Sequence, residues 1–375
     1  MHLSERRRKE EALSLGFRVH DGCGVAGIHN EKGRGIPGSR IVKALEAMRP
    51  RYNGLGAGYA GYGIYPRYRD CYAIHLILDD EESLRKVGEM LGGKANIIRE
   101  EEIPARRHVL YNPPMLRRFF VKPPEQVGGL PVEDPDSYIM NLVMAINSGV
   151  EGCFVMSSGK NMGVFKGVGY PVDVADFYML EEYQASLWLG HGRFPTNSPG
   201  WWGGAHPFNI LGWSVVHNGE ISSYDANRRF LEQYGYKCML LTDTELVAYL
   251  LDFLVRREGL PLKLACRALA PPFWDKITRL SPSQAEIVRA LRVVYPNALL
   301  NGPFSIIIGT NAHGTGMIGL TDRIKLRPMV AARRGEEIYI ASEECAIRSV
   351  CGEPDQLWMP RAGEPIISIA NGESS

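Results

Sequence analysis

Apolar positions fall into short alternating or continuous runs separated by glycine-rich turns, a pattern of many strands with a few helices. Residues 1–22 are polar and charged and read as a detachable leader. CGVAGIHN from Cys23 predicts a strand, residues 41–48 a short helix, and AGYAGYGIY a second strand whose glycines permit close packing. Residues of about 70–150 change texture. Strands over 72–78, 95–103 and 118–122 and helices over 81–91 and 137–148 follow in β-α-β-β-α order, which predicts a small α/β insertion, ferredoxin-like in plan. CFVMSSG and MGVFKGV then read as a hairpin joined around Lys160-Asn161. Further short strands are expected over 186–190, 212–217, 304–309, 316–320 and 338–341.

Two helices carry start signals. Thr242-x-x-Glu245 predicts a capping box ahead of Leu246, Tyr249, Leu250 and Phe253, with Gly259 closing the far end. Ser281-Pro282 opens the other, with proline in the first turn where its missing N–H is harmless. Long helices among many antiparallel strands imply an α+β layered architecture in which helices cover sheets.

Composition narrows the classes. The 375 residues suffice for one large domain or two medium ones, and 45% hydrophobic with 23% charged residues is ordinary for a globular protein. A net charge of +1 leaves no basic excess for nucleic acid, and Arg6-Arg7-Arg8-Lys9 is followed at once by Glu10 and Glu11. No secretory core or run of transmembrane length is present, so no membrane partner and a cytoplasmic location are expected. Seven scattered cysteines without CxxC pairs argue against a disulfide framework, a zinc site or an iron–sulfur cluster in this chain. GRGIPG at 33–38 is too short for a dinucleotide fingerprint and reads as a loop. No metal and no cofactor are expected.

Four local signals could carry chemistry. Cys23, between Gly22 and Gly24 at the start of a strand, is unhindered, although a cysteine in an apolar strand is more often a buried small hydrophobe. Arg193, in GHGRFPTNS, can fork onto a carboxylate, whereas a surface arginine is the plainer reading. Asn218-Gly219 most often marks a hairpin turn, but an Asn amide beside a Gly N–H can also form an oxyanion hole. Asp243 is favoured in a first helical turn with no ligand at all.

Taken together, these segments resemble the class II glutamine amidotransferases, and most closely the amidotransferase domain of glutamate synthase. The likeness lies in GRFPTNSPGWWGGAHPFNILGWSVVHNGEIS, FVMSSGKNMGVFKG, DFYML, GPFSIIIGT, LTDRIKLRPMV and ASEECAI, and covers most of 23–65 and 150–350. It implies the four-layer α-β-β-α sandwich of the N-terminal-nucleophile (Ntn) hydrolases over 23–370. It also implies Cys23 as nucleophile, Arg193 and Asp243 on the α-carboxylate and α-ammonium of L-glutamine, Asn218 and Gly219 as oxyanion hole, and Thr196 lining the pocket. In that family the base is the nucleophile's own α-amino group, so His206 and His217 read as structural.

Here Cys23 is internal, so the chemistry implied requires the Gly22–Cys23 bond to be cut. The chain has no phosphoribosyltransferase, ATP-pyrophosphatase or sugar-phosphate signature. The resemblance therefore implies one subunit of a split glutamate synthase, its partner a separate synthase-type subunit carrying FMN and an iron–sulfur cluster. Two other readings stand beside it: a glutamine-binding regulatory subunit that never matures, and an Ntn amidase for another amide.

Overall fold

The computed structural model describes residues 22–194, 200–240, 242–312 and 314–370. Two antiparallel sheets stack face to face. The larger runs, in spatial order, Met162–Gly167, Ala57–Tyr62, Leu187–Gly192, Gly24–Asn30, Glu337–Ala341, Val330–Arg334 and Gln356–Trp358. The smaller runs Phe208–Ile210, Trp213–Gly219, Phe304–Thr310, Gly316–Thr321 and Ile366–Ile369.

Side-chain alternation explains why the central strands are buried on every residue. Val25 points between the sheets with Ala60, Leu189, Val216, Ile307, Met317 and Ile340. Ala26 and Ile28 point the other way, against Ile41 and Leu45 of the helix Gly38–Glu46, Phe177 of Pro171–Phe177 and Ile347 of Glu344–Cys351. On the smaller sheet, Ile306 and Ile308 meet Leu246, Leu250 and Phe253, while Ile307 faces inward. The result is helix, sheet, sheet, helix, the α-β-β-α layering expected. Gly27 lets the sheets close: a Cβ there would lie 2.5 Å from Met317 Sδ and 3.2 Å from Ile307 Cγ2.

A third antiparallel sheet is built from Asn96–Glu102, Met115–Lys122, Tyr72–Leu78 and Cys153–Ser157, in that spatial order. Helices Glu81–Lys94 and Pro135–Gly149 cover one face, packing Val87, Leu91, Ile139 and Val143 on Ile74, Leu76, Phe119 and Val155. Over Tyr72–Leu78 the other face is buried too, while Asn96–Glu102 lies exposed at the edge. His75 there hydrogen-bonds Tyr65 Oη at 2.9 Å and the Val164 carbonyl at 3.1 Å.

The hairpin expected around Lys160-Asn161 does not form. Cys153–Ser157 pairs with Tyr72–Leu78, whereas Met162–Gly167 pairs with Ala57–Tyr62 in the larger sheet. Asn161, at φ 48°, turns the chain between sheets. Local sequence specifies two strands and a turn, but the choice of partner is made by distant residues.

The capping box is likewise only half present. Thr242 Oγ1 accepts from the Thr244 N–H at 3.1 Å, but the Glu245 carboxylate accepts from Met239 and Leu240 N–H at 3.1 and 2.9 Å. The chain entering the helix brings the Met239 and Leu240 N–H groups to the Glu245 carboxylate. Gly259, at φ 68°, does close the far end, where Leu260 N–H reaches the Leu254 carbonyl at 2.9 Å.

Candidate active site

The candidate residues meet at one end of the stacked sheets because each sits where a strand or helix begins or stops. Cys23 immediately precedes Gly24–Asn30, and Gly24 faces Gly192 of the neighbouring strand. Arg193 and Phe194 therefore leave that strand alongside the thiol. The Phe194 N–H donates to Cys23 Sγ at 3.4 Å, and Arg193 N–H donates to the Gly56 carbonyl at 2.9 Å.

From the facing sheet, Trp213–Gly219 ends at the same place. Asn218 is buried, and its Nδ2 has no hydrogen-bond partner among the described residues. A Cβ built on Gly22 would lie 3.9 Å from Asn218 Oδ1, which sets this amide beside the Gly22–Cys23 peptide. Gly219 follows at φ 141°, where a Cβ would fall 2.0 Å from the Pro303 carbonyl oxygen. Only glycine fits that backbone.

Asp243 opens the helix Asp243–Leu251. Its Oδ2 accepts the Ile221 N–H at 2.8 Å, and its Oδ1 lies 3.1 Å from Thr244 Oγ1 and 3.5 Å from His217 Nδ1. Burial works against ionisation, but His217 and these hydrogen bonds outweigh it and hold the carboxyl below its usual range. Arg193 is buried, which pulls its pKa down, while Cys23 and Asp243 partly offset the effect.

Burial pushes the Cys23 thiol pKa up, against the Phe194 N–H and the positive charges of Arg193, Arg51 and Arg327. A thiol so placed needs a base to react near neutral pH. Gly22 and Cys23 are held together by one residue: Gly22 N–H donates to the Arg51 carbonyl at 3.1 Å, and Arg51 Nε donates to the Cys23 carbonyl at 3.2 Å. Arg51 is in turn ion-paired with Glu343. Arg327 leaves the larger sheet at the same end as Cys23. Ala26 and Val330 both face Ala341, and Cys23 and Arg327 each lie three residues upstream of them. Its Nε is buried without a partner among the described residues.

Three histidines pack beneath. His191 Nε2 contacts the His217 carbonyl at 3.0 Å, the His191 and His206 rings stand 4.0 Å apart, and Thr244 Oγ1 meets both His217 Nδ1 and His206 Nε2. Burial drives the His191 pKa down to about 3 and that of His206 far below the usual value. Neutral and enclosed, His191 and His206 support the site rather than exchange protons with it.

Cys23, Arg193, Asn218, Gly219 and Asp243 are thus brought together, while Thr196 lies outside the described residues. Sequence reading missed Arg51, Arg327 and the Phe194 N–H. Arg51, in RPRYNG, and Arg327, in a turn, look like solvated loop charges until the register is known. Among the described residues no cluster of His, Cys, Asp and Glu is arranged to hold a metal, and no helix is long and apolar enough to cross a membrane.

Residues 105–350 match the family described as Glutamine amidotransferases class-II, a span holding Arg193, Asn218, Gly219 and Asp243. The chain belongs to this family. Cys23 precedes the matched span. Among relatives of this amidotransferase, an uncharacterized protein of Archaeoglobus fulgidus is 46% identical over 93% of this chain and 92% of its own length. The amidophosphoribosyltransferase of Methanocaldococcus jannaschii is 28% identical over 60% of this chain and 42% of its own. A solved glutamine phosphoribosylpyrophosphate amidotransferase from B. subtilis aligns with 93% of this chain and 48% of its own, at 17% identity and a TM-score of 0.47.

Proposed function

We propose that this amidotransferase hydrolyses L-glutamine at Cys23 and supplies the ammonia to a separate acceptor subunit. The observation that carries the reading is the buried Asn218 Nδ2, a donor without an acceptor among the described residues, beside the Gly22–Cys23 peptide. Such a donor costs about 1–3 kcal/mol unless something negative arrives to accept from it. An oxyanion formed on the glutamine side-chain carbonyl is that acceptor, with the Gly219 N–H as second donor.

The remaining roles follow from charge. Arg193 binds the α-carboxylate and Asp243 the α-ammonium, a pairing suited to a zwitterionic amino acid, and Thr196 lines the pocket. Once Cys23 is freed from Gly22, its α-amino group, with a reference pKa of about 7.7–8.0, acts as the base. It takes the thiol proton as sulfur attacks the amide carbon. The C–N bond then breaks, and the leaving nitrogen takes that proton and departs as ammonia. Water, deprotonated by the same amine, cleaves the thioester to give glutamate and the free thiol.

The chain itself needs no cofactor in this scheme. The acceptor we favour is a glutamate synthase-type subunit carrying FMN and an iron–sulfur cluster, on the strength of the motifs around Arg193, Asn218 and 321–330. The amidophosphoribosyltransferase relative names a different acceptor, but this chain covers only 42% of it. A glutaminase assay of the wild type and Cys23→Ala, with and without co-expressed synthase subunits, tests both halves. Glutamine turnover that survives in Cys23→Ala ends the assignment. Turnover that no synthase subunit changes removes the proposed partner.

A further inference from the structure

A lysine is enclosed between the two elements that hold the proposed substrate. Lys166, on Met162–Gly167, is 1% exposed, and its register partner is Gly58. A Cβ on Gly58 would lie 2.6 Å from Lys166 Cβ and 2.4 Å from the His206 carbonyl oxygen. The bare backbone at Gly58 is what lets the lysine stem and the His206 backbone come together. Lys166 Nζ donates to the Gly203 carbonyl at 2.9 Å and lies 4.4 Å from the centre of the Phe208 ring.

Gly203 sits in a double turn in which Gly204 N–H reaches Trp201 O at 3.1 Å and Ala205 N–H reaches Trp202 O at 3.3 Å. The Trp201 indole lies on Gly203 and Gly204, and the Trp202 ring packs against Gly167, next to Lys166. Ala205 ends this turn beside Arg193. A Cβ on Gly56 would lie 3.1 Å from Arg193 Cδ and 3.4 Å from Ala205 Cβ, so the two side chains share the space above that glycine. On the other side, Lys166 attracts Glu245, two residues along the helix from Asp243. Glu245 is fixed by the Met239 and Leu240 N–H groups and by Tyr249 Oη at 2.9 Å.

Enclosing a cation is unfavourable, and an apolar residue of similar volume would serve packing as well or better. Its geometry gives the charge a task that packing does not. We propose that Lys166 is a positioning residue for glutamine: through Gly203 it holds the turn against which Arg193 rests. The inference rests on the reading of Arg193 and Asp243 as the clamp for glutamine.

The test is a double-mutant cycle in the full chain, comparing Lys166→Met, Arg193→Ala and the double variant. Glutamine KM and kcat, a thermal melt and the alkylation rate of Cys23 by iodoacetamide are measured for each. Lys166→Met is expected to raise KM about tenfold, with kcat and alkylation within about twofold of wild type. In the Arg193→Ala background it is expected to add less than about twofold, because its effect runs through Arg193. A folded Lys166→Met with unchanged KM, or effects that simply multiply, overturns the inference. If Lys166→Met does not fold, Lys166→Gln, uncharged and one atom shorter, carries the same expectation. An unchanged KM in Arg193→Ala overturns the reading of the clamp itself, and the inference with it.

Discussion

The backbone N–H of Phe194 points at the sulfur of Cys23 from 3.4 Å. One strand end thereby carries a donor for the nucleophile and, one residue earlier, the arginine assigned to the substrate carboxylate. In the function proposed above, that single backbone segment would couple binding to attack.

Replacing Cys23, the proposed nucleophile, should separate chemistry from binding. Cys23→Ala is expected to lower kcat for glutamine by at least about a thousandfold while the protein keeps its melting temperature within a few degrees. Steady-state ammonia release and a thermal melt check this.

Arg193→Ala and Asp243→Asn are each expected to raise glutamine KM by roughly 10- to 100-fold, because each removes a charge-assisted contact of about 1.5–3 kcal/mol. Their kcat should change far less. A fall in kcat with unchanged KM would assign these residues to another step.

At the proposed oxyanion site the effect should be the reverse. Asn218→Ala is expected to cut kcat by about 10²–10³ with KM within about threefold, since its amide is engaged only when charge develops on the substrate oxygen.

Gly219→Ala tests the backbone. At φ 141°, with a Cβ 2.0 Å from Pro303 O, the substitution is expected to destabilise the fold by more than about 2 kcal/mol. The shift in urea midpoint reads this directly.

Acid should weaken the protein through its buried histidines. His29, His75 and His191 are fully buried, and burial lowers their pKa to about 4, 3 and 3. Between about pH 6.5 and 4 the unfolded chain binds protons there that the folded chain refuses, so stability falls as pH falls through that window. Each histidine contributes a loss of about 2 kcal/mol at pH 5 relative to pH 8. Urea unfolding at the two pH values, in the wild type and in a variant with one of these histidines replaced, isolates that histidine's share from the opposing effect of Glu245, whose carboxyl burial raises to about 7.

Much of this arrangement was readable beforehand for one physical reason: the motifs lie at ends of elements, and element ends are written locally in glycine, proline and capping residues. Gly24, the Asn218-Gly219 pair and Thr242 each announce such an end. What pairs with what is not written locally. The strand Cys153–Ser157 was assigned to the wrong neighbour because its alternation suits either sheet, and Glu245 found donors that only the folded chain brings near. Lys166 was invisible as well. A lysine in an alternating strand looks like a solvated outward position until Gly58 and the Trp201–Ala205 turn are seen to enclose it.

The chemistry proposed for Cys23 requires a free amino terminus in the working enzyme. Intact-mass analysis of purified, glutamine-hydrolysing protein is predicted to show a chain beginning at Cys23, its amine free beside the thiol. Full activity in a chain that still carries residues 1–22 would contradict it.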